Sequence, residues 1–291
     1  MNKKKSYATL LLVLVTQVIV SQAKVPSNGS MDSPNILFVF SDDHAWQSIG
    51  AYGGRLKEVA HTPNIDKLAS EGMLFRKCFV ANALCGPSRA AVLTGKYGHR
   101  NGVTWNKNTN FDGSQQTFPK MMRKNGYQTA IIGKWHLASV PTGFDYFDVM
   151  KGQGRYYNPF LQRGNAEGLQ DTRTVVGYNS DIVGDLTIEW LKNGRDKSKP
   201  FMLMSQFKAT HHGFCPGPEE YDLYDDVHIP EPDNLFDDFS YRGTAIREQT
   251  LTLYKNLSHA ILVGDPGELG ELNPDQRKAW DAYRSKFSEP F

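Results

Sequence analysis

Three short apolar runs in this chain each end at a cluster of ionisable residues, and this arrangement limits the fold more than any other feature. Asn35 to Phe40 leads into Ser41-Asp42-Asp43-His44, Tyr127 to Ile132 into Gly133-Lys134-Trp135-His136, and Pro200 to Phe207 into Lys208-Ala209-Thr210-His211-His212. Continuous apolar runs of this length suit strands covered on both faces, as in a parallel sheet. Helix signals lie between them. Thr62 offers an N-cap with Pro63 at the first helical position, Ile65, Leu68 and Ala69 follow at helical spacing, and Gly72 supplies the stop. Further helices are expected from about Pro87 to Gly95, from Thr117 past Met121 and Met122 to Gly126, and from an Asn179 or Ser180 cap through Ile182, Val183, Leu186, Trp190 and Leu191 to Gly194. Met73 to Val80 alternates like a further strand, with Cys78 as a small core side chain. Strands alternating with helices predict an α/β fold with a largely parallel central sheet sandwiched by helices. Such sheets bind ligands outside the carboxyl ends of their strands, where these acids, lysines and histidines fall.

Beyond Phe214 the pattern weakens. Pro, Gly and acidic residues run to Asp238 as an expected loop region, Thr244 to Ser258 and Pro274 to Phe287 have helical character, and Ile261-Leu262-Val263 is a short apolar run before Gly264-Asp265-Pro266. At the other end, Lys3, Lys4 and Lys5 precede an apolar run from Ala8 to Val20, followed by Ser21-Gln22-Ala23. This is the layout of a secretory signal peptide over residues 1–23, with a polar leader over 24–33. The run is shorter than the roughly 20 apolar residues that a membrane-spanning helix requires, so no permanent membrane span is expected. The expected location is secreted or periplasmic.

Charge excludes one class of partner. The chain has 33 basic and 31 acidic residues, and three of the lysines lie in the N-terminal segment. The remainder is nearly neutral, without the basic excess that marks a nucleic-acid partner, so none is expected. An anionic substrate must therefore be held by local charges. The 40% apolar and 12% aromatic content supports a substantial core. Three cysteines in an exported chain leave one odd thiol. Cys85 is the candidate for a thiol kept for chemistry, because it stands just ahead of a helix whose free N–H groups favour an anion and whose Arg89 adds a fixed charge.

Cys85-Gly86-Pro87-Ser88-Arg89 followed by Ala90-Ala91-Val92-Leu93-Thr94-Gly95 resembles the signature of type I sulfatases. Pro34-Asn35-Ile36-Leu37 leading to Asp42-Asp43, His61-Thr62-Pro63-Asn64-Ile65-Asp66 leading to Leu68-Ala69, Gly133-Lys134-Trp135-His136, and Lys208 through His211 are also similar to that family in order and spacing. The resemblance covers roughly Ser33 to Asp238 and is specific as a set. It implies an alkaline-phosphatase-like fold, with residues 34–291 as the N-terminal catalytic domain. It further implies that a formylglycine-generating maturation enzyme oxidises Cys85 to formylglycine. The hydrate of this aldehyde attacks sulfur and later expels sulfate by reforming the aldehyde, which a serine or thiol could not do. By the same resemblance Asp42, Asp43 and residue 85 bind Ca2+, Lys134 and His136 hold sulfate and assist the leaving group, and His211 belongs to the substrate site; Arg89 counts among the catalytic residues through its fixed positive charge beside Cys85. His99, His212, His228 and His259 carry no such match and are read as structural.

The family completes its calcium site with later strand-end ligands that have no counterpart here. Asp265 resembles one but comes too early and lacks its partner. The expectation is a catalytic domain incomplete at its C-terminus, with weak calcium binding, little activity as it stands, and its last strand at an open edge of the sheet. Phe111 to Pro119 and Pro141 to Tyr146 are similar to the N-acetylglucosamine-6-sulfatase branch, which implies a sulfated carbohydrate substrate such as 6-sulfated N-acetylglucosamine. Two alternatives stand beside sulfate ester hydrolysis: phosphate or phosphonate ester hydrolysis on the same superfold, and non-catalytic binding of sulfated glycans.

Overall fold

The computed structural model describes residues 33–108, 110–250 and 266–287. From Pro34 onward they belong to one compact unit. In chain order the strands are β1 (Ile36–Ser41), β2 (Gln128–Lys134), β3 (Tyr146–Met150), β4 (Phe160–Asn165), β5 (Gly168–Thr174) and β6 (Phe201–Phe207). They form one sheet in the order β1-β6-β2-β3-β4-β5. The first four in that order are parallel, whereas β4 pairs antiparallel with β3 and β5 antiparallel with β4. The carboxyl ends of β1, β6, β2 and β3 therefore open on one edge of the sheet.

Alternate residues of the central strands feed two separate cores, as the two-residue period of a strand requires. Ile131, Phe147, Val149, Met202 and Met204 point to one face, where Ala90 and Leu93 of the helix Cys85–Thr94 and Phe118 and Met122 of the helix Phe118–Lys124 pack on them. Ala130, Ile132, Met150 and Leu203 point to the other, under Ile182 and Val183 of the helix Asn179–Glu189. Helices thus cover both faces, which is why β2 and β6 are buried along nearly their whole length. A third cluster around Tyr156, Tyr157 and Trp280 docks the helix Pro274–Ser285, whose start is fixed by a reciprocal Asn273–Gln276 capping box. This docking brings Glu268 to the sheet edge: Tyr156 N donates to Glu268 O at 2.8 Å, and Tyr157 N donates to Leu269 O at 2.8 Å.

Gly133 shows why the second strand ends as it does. Its φ is +100°, and a Cβ there would lie 2.0 Å from the Gln206 carbonyl oxygen on β6. Only glycine lets the two backbones approach so closely just before Lys134. Gly133→Ala is therefore expected to cost about 2–3 kcal/mol, read as a lower urea midpoint at unchanged slope. A midpoint equal to that of the wild type would contradict the close approach.

Several expectations are revised. Met73 to Val80 forms no strand; Phe75, Phe79 and Cys78 are exposed there. An alternating sequence becomes a strand only where a neighbour pairs with it, and none does among the described residues. The last strand among the described residues, β6, lies inside the sheet between β1 and β2. Among the described residues the open edge on that side is β1, with Leu37 46% and Val39 60% exposed. Strands β3, β4 and β5 carry no sequence signal that predicted them. Thr244–Arg247 is a single helical turn, and residues 251–258 of the helix expected there lie outside the described residues. The signal segment, Asp265, His259 and Ile261 to Val263 lie outside the described residues. Among the described residues no helix is long and apolar enough to cross a membrane.

Candidate active site

Three strand ends and one helix start build the site. β1 delivers Asp42 and Asp43, β2 delivers Lys134, β6 delivers Lys208 and then His211, and Cys85 is the first residue of the helix Cys85–Thr94 rather than its cap, which is Leu84. That helix start is anchored by Gly86 N, which donates to Asn106 Oδ1 at 3.0 Å. Lys134 Nζ lies 4.0 Å from Cys85 Sγ and donates to Gln153 Oε1 at 2.5 Å. It also pairs with Asp42 Oδ2, which Arg89 Nη2 approaches at 3.6 Å. Arg89 is itself fixed, with Nη1 donating to the Lys134 carbonyl at 2.6 Å and to Gln206 Oε1, and its guanidinium over the Phe40 ring.

These charges are buried, so they depend on one another. Burial alone would raise the Asp42 carboxyl, but the Lys134 and Arg89 cations outweigh it and hold Asp42 below the usual carboxylate range. Asp43 shifts upward, because burial and the neighbouring Asp42 carboxylate both disfavour its charge. Burial also pulls the Lys134 ammonium down and pushes the Cys85 thiol up, the latter despite Lys134 nearby. Asp43 (φ 57°) and His136 (φ 49°) both hold the left-handed backbone conformation that non-glycine residues seldom adopt. Such strain clusters where side chains must be aimed.

On the β6 side, Lys208 is fully buried, lies over the Tyr156 ring and pairs with Glu268 Oε2. His211 stands between two acids, with Nδ1 3.8 Å from Glu268 Oε2 and Nε2 4.0 Å from Asp43 Oδ2. The Tyr156 hydroxyl donates to the His211 carbonyl, and Thr210 N donates to Asp42 O at 2.8 Å, so the loops after β1 and β6 are tied together. Burial, then Lys134 and Lys208, lower His211 to about 3. His136 is lowered to about 4 by burial and by the Lys134 and Arg89 charges, and its Nδ1 is buried without a hydrogen-bond partner. Both rings are neutral near pH 7.

A depressed histidine makes a signed prediction. As pH falls below about 6.5 the unfolded chain binds the proton first, so the native state loses stability until about pH 4, where His136 protonates in place. His136→Gln removes that difference. Denaturation midpoints between pH 7 and 4 are expected to fall less steeply in His136→Gln than in the wild type, and parallel slopes would contradict the burial of a neutral ring.

The candidate residues Asp42, Asp43, Cys85, Arg89, Lys134 and His211 thus converge, while His136 shares their field without a direct bond through Nδ1. His212, read as structural, stacks on His211 with ring centres 4.1 Å apart and joins His211 and Glu268 in one group. Gln153, Gln206 and Glu268 were not anticipated. Gln206 could have been found as a polar residue inside an apolar strand, two before Lys208. Glu268, 60 residues beyond its lysine, gives no sequence signal. As for a metal, Asp42, Cys85 and His211 present ligand atoms within 4.8 Å of one another, and Asp42 Oδ2 is buried beside Lys134 and Arg89. Adjacent carboxylates at a strand end with a raised Asp43 suit a hard cation, and they supply part of the roughly 6–8 oxygens that calcium takes.

The sequence profile of the sulfatase family matches residues 34–258. The N-acetylglucosamine-6-O-sulfatase of Bacteroides thetaiotaomicron is 44% identical over 261 residues, covering 88% of this chain and 44% of that protein. Human N-acetylgalactosamine-6-sulfatase is 39% identical over 218 residues, covering 64% of this chain and 41% of that protein. A solved structure described as a complex with its substrate D-glucosamine-2-N,6-O-disulfate superposes with a TM-score of 0.74 at 40% identity, over 87% of this chain and 53% of that one. The chain therefore spans about half the length of the relatives it matches. With the family profile covering most of the chain, a relative 44% identical over 88% of it and a solved structure sharing the alkaline-phosphatase-like fold, the chain belongs to the sulfatase family.

Proposed function

We propose that the protein hydrolyses sulfate monoesters on a carbohydrate, with 6-sulfated glucosamine or N-acetylglucosamine as the substrate. The observation that carries this reading is the cluster at residue 85: a half-buried side chain at a helix start, 4.0 Å from the Lys134 ammonium and grouped with Asp42 and His211. The relative from Bacteroides thetaiotaomicron and the glucosamine disulfate complex support the sugar.

Burial pushes the Cys85 thiol up, so a thiolate nucleophile is disfavoured there. Oxidised to formylglycine, residue 85 would supply a hydrated aldehyde that accepts the sulfuryl group and releases sulfate as the aldehyde reforms. Asp42, Asp43 and residue 85 would hold Ca2+, which would add positive charge beside the sulfate oxygens. Lys134 and Arg89, fixed by Asp42, Gln153 and Gln206, provide charge that needs no reorganisation as negative charge builds on sulfate. His136 and His211 are neutral at pH 7, and a neutral ring can offer or take a proton at a departing alkoxide or an attacking hydroxyl. A maturation enzyme acting on Cys85 and export through residues 1–23, to a secreted or periplasmic location, complete the proposal.

The test is release of inorganic sulfate from 6-sulfated N-acetylglucosamine by the matured protein, expressed as encoded, beside release of phosphate from the matching 6-phosphate. Faster turnover of the sulfate supports the proposal. Preference for the phosphate supports the phosphate ester alternative, and binding of the sulfated sugar without turnover of either supports a non-catalytic glycan binder.

A further inference from the structure

The loop after β3 carries charge that the reaction centre does not use. It runs from Lys151 to Arg155 around two left-handed glycines, Gly152 (φ 62°) and Gly154 (φ 73°), and a Cβ at Gly154 would meet Met150 Sδ at 2.5 Å, so its path is set by its glycines. Its middle residue, Gln153, accepts from Lys134 at 2.5 Å and fixes the loop against the site. Lys151 and Arg155 each lie two residues away, within roughly 7 Å of backbone. Together with Phe160, Glu268 and Glu271 they line a cavity of about 460 Å³. Gln153 and Glu268 belong to both spaces, since Glu268 also pairs with Lys208 and approaches His211. The cavity therefore adjoins the reaction centre through a shared wall.

Its charges are available. Lys151 is exposed and has no ion-pair partner among the described residues. Arg155 has only Glu271 at 3.7 Å, and that carboxylate is 92% exposed, so water screens the pair and a bound anion can displace it. Glu268 is neutralised by Lys208. Phe160, 42% exposed at the start of β4, offers an apolar face to a sugar ring.

Resting on the proposed sugar sulfatase activity, we infer that this cavity is a second anion subsite. It takes a second sulfate or a carboxylate carried by the substrate sugar or by its neighbour in the glycan, with Lys151 and Arg155 as specificity-determining residues.

The test uses the Cys85→Ala chain, which retains both cations, and measures by calorimetry the binding of 6-sulfated N-acetylglucosamine, of N,6-disulfated glucosamine, and of the 6-sulfated sugar linked to a uronic acid. Lys151→Ala/Arg155→Ala is expected to weaken a doubly charged ligand roughly tenfold and the monosulfate less than twofold. The disulfated arm reports a second group on the same ring, and the uronate arm one on the neighbour. Lys151→Glu, a surface change with little risk to folding, should deepen the loss. Equal losses for all three ligands, or none for any, overturn the subsite. Failure of the matured wild type to release sulfate from the monosulfate counts instead against the reaction centre as read, and is seen separately.

Discussion

Asp42→Ala is expected to lower the unfolding free energy by about 3–5 kcal/mol, because it strands Lys134, fully buried, and Arg89, 3% exposed, as uncompensated cations. Guanidinium denaturation would show a lower midpoint at an unchanged slope. Asp42→Ala/Lys134→Met should recover part of the loss, since it removes a charge together with its partner. The sign with pH follows from the depressed Asp42 carboxyl: its stabilisation is present above the ordinary carboxylate pKa of 3.8 and disappears as pH falls through the lower native value. The difference between wild type and Asp42→Ala should therefore narrow in strong acid. A loss below about 1 kcal/mol at pH 7, the scale of an exposed pair, would contradict the buried cluster.

Cys85→Ala in the matured protein is expected to reduce sulfate release by at least about 10³-fold, because residue 85 supplies the attacking group and the remaining charges can only bind and polarise the ester. Stability should change little, as the side chain is half-buried and at a helix start. The loss should appear in kcat rather than KM if Lys134, Arg89 and His211 hold the substrate without it. Turnover within tenfold of wild type would assign the chemistry elsewhere.

The parts of the fold legible in the sequence are those whose signal is local. β1, β2 and β6 are short apolar runs ending at charged clusters, and their ends place Asp42, Lys134 and Lys208 on one edge. The helix Pro63–Glu71 begins at its Thr-Pro pair and stops at Gly72 as read. The parts not legible depend on pairing between distant residues. β3 carries Asp148 at its centre, fully buried, which argues against a strand until Arg173 of β5 at 2.5 Å and Arg163 of β4 at 3.2 Å neutralise it. β4 and β5 are polar and make sense only as a hairpin extending that sheet. Met73 to Val80 errs in the opposite direction, with local alternation but no partner. At the site the same division holds: Cys85, Arg89, Lys134 and His211 lie in recognisable segments, whereas Gln153 and Glu268 come from a loop and a short helix whose positions follow from tertiary docking.

Residue 85 as the sulfur-attacking group is tested most directly by peptide mass spectrometry on the segment containing Cys85, made on the same preparations whose sulfate release is assayed while the extent of maturation is varied. Activity should rise in proportion to the fraction of residue 85 converted from thiol to aldehyde and extrapolate to none at zero conversion. Undiminished sulfate release from a preparation in which residue 85 is entirely the thiol would contradict it.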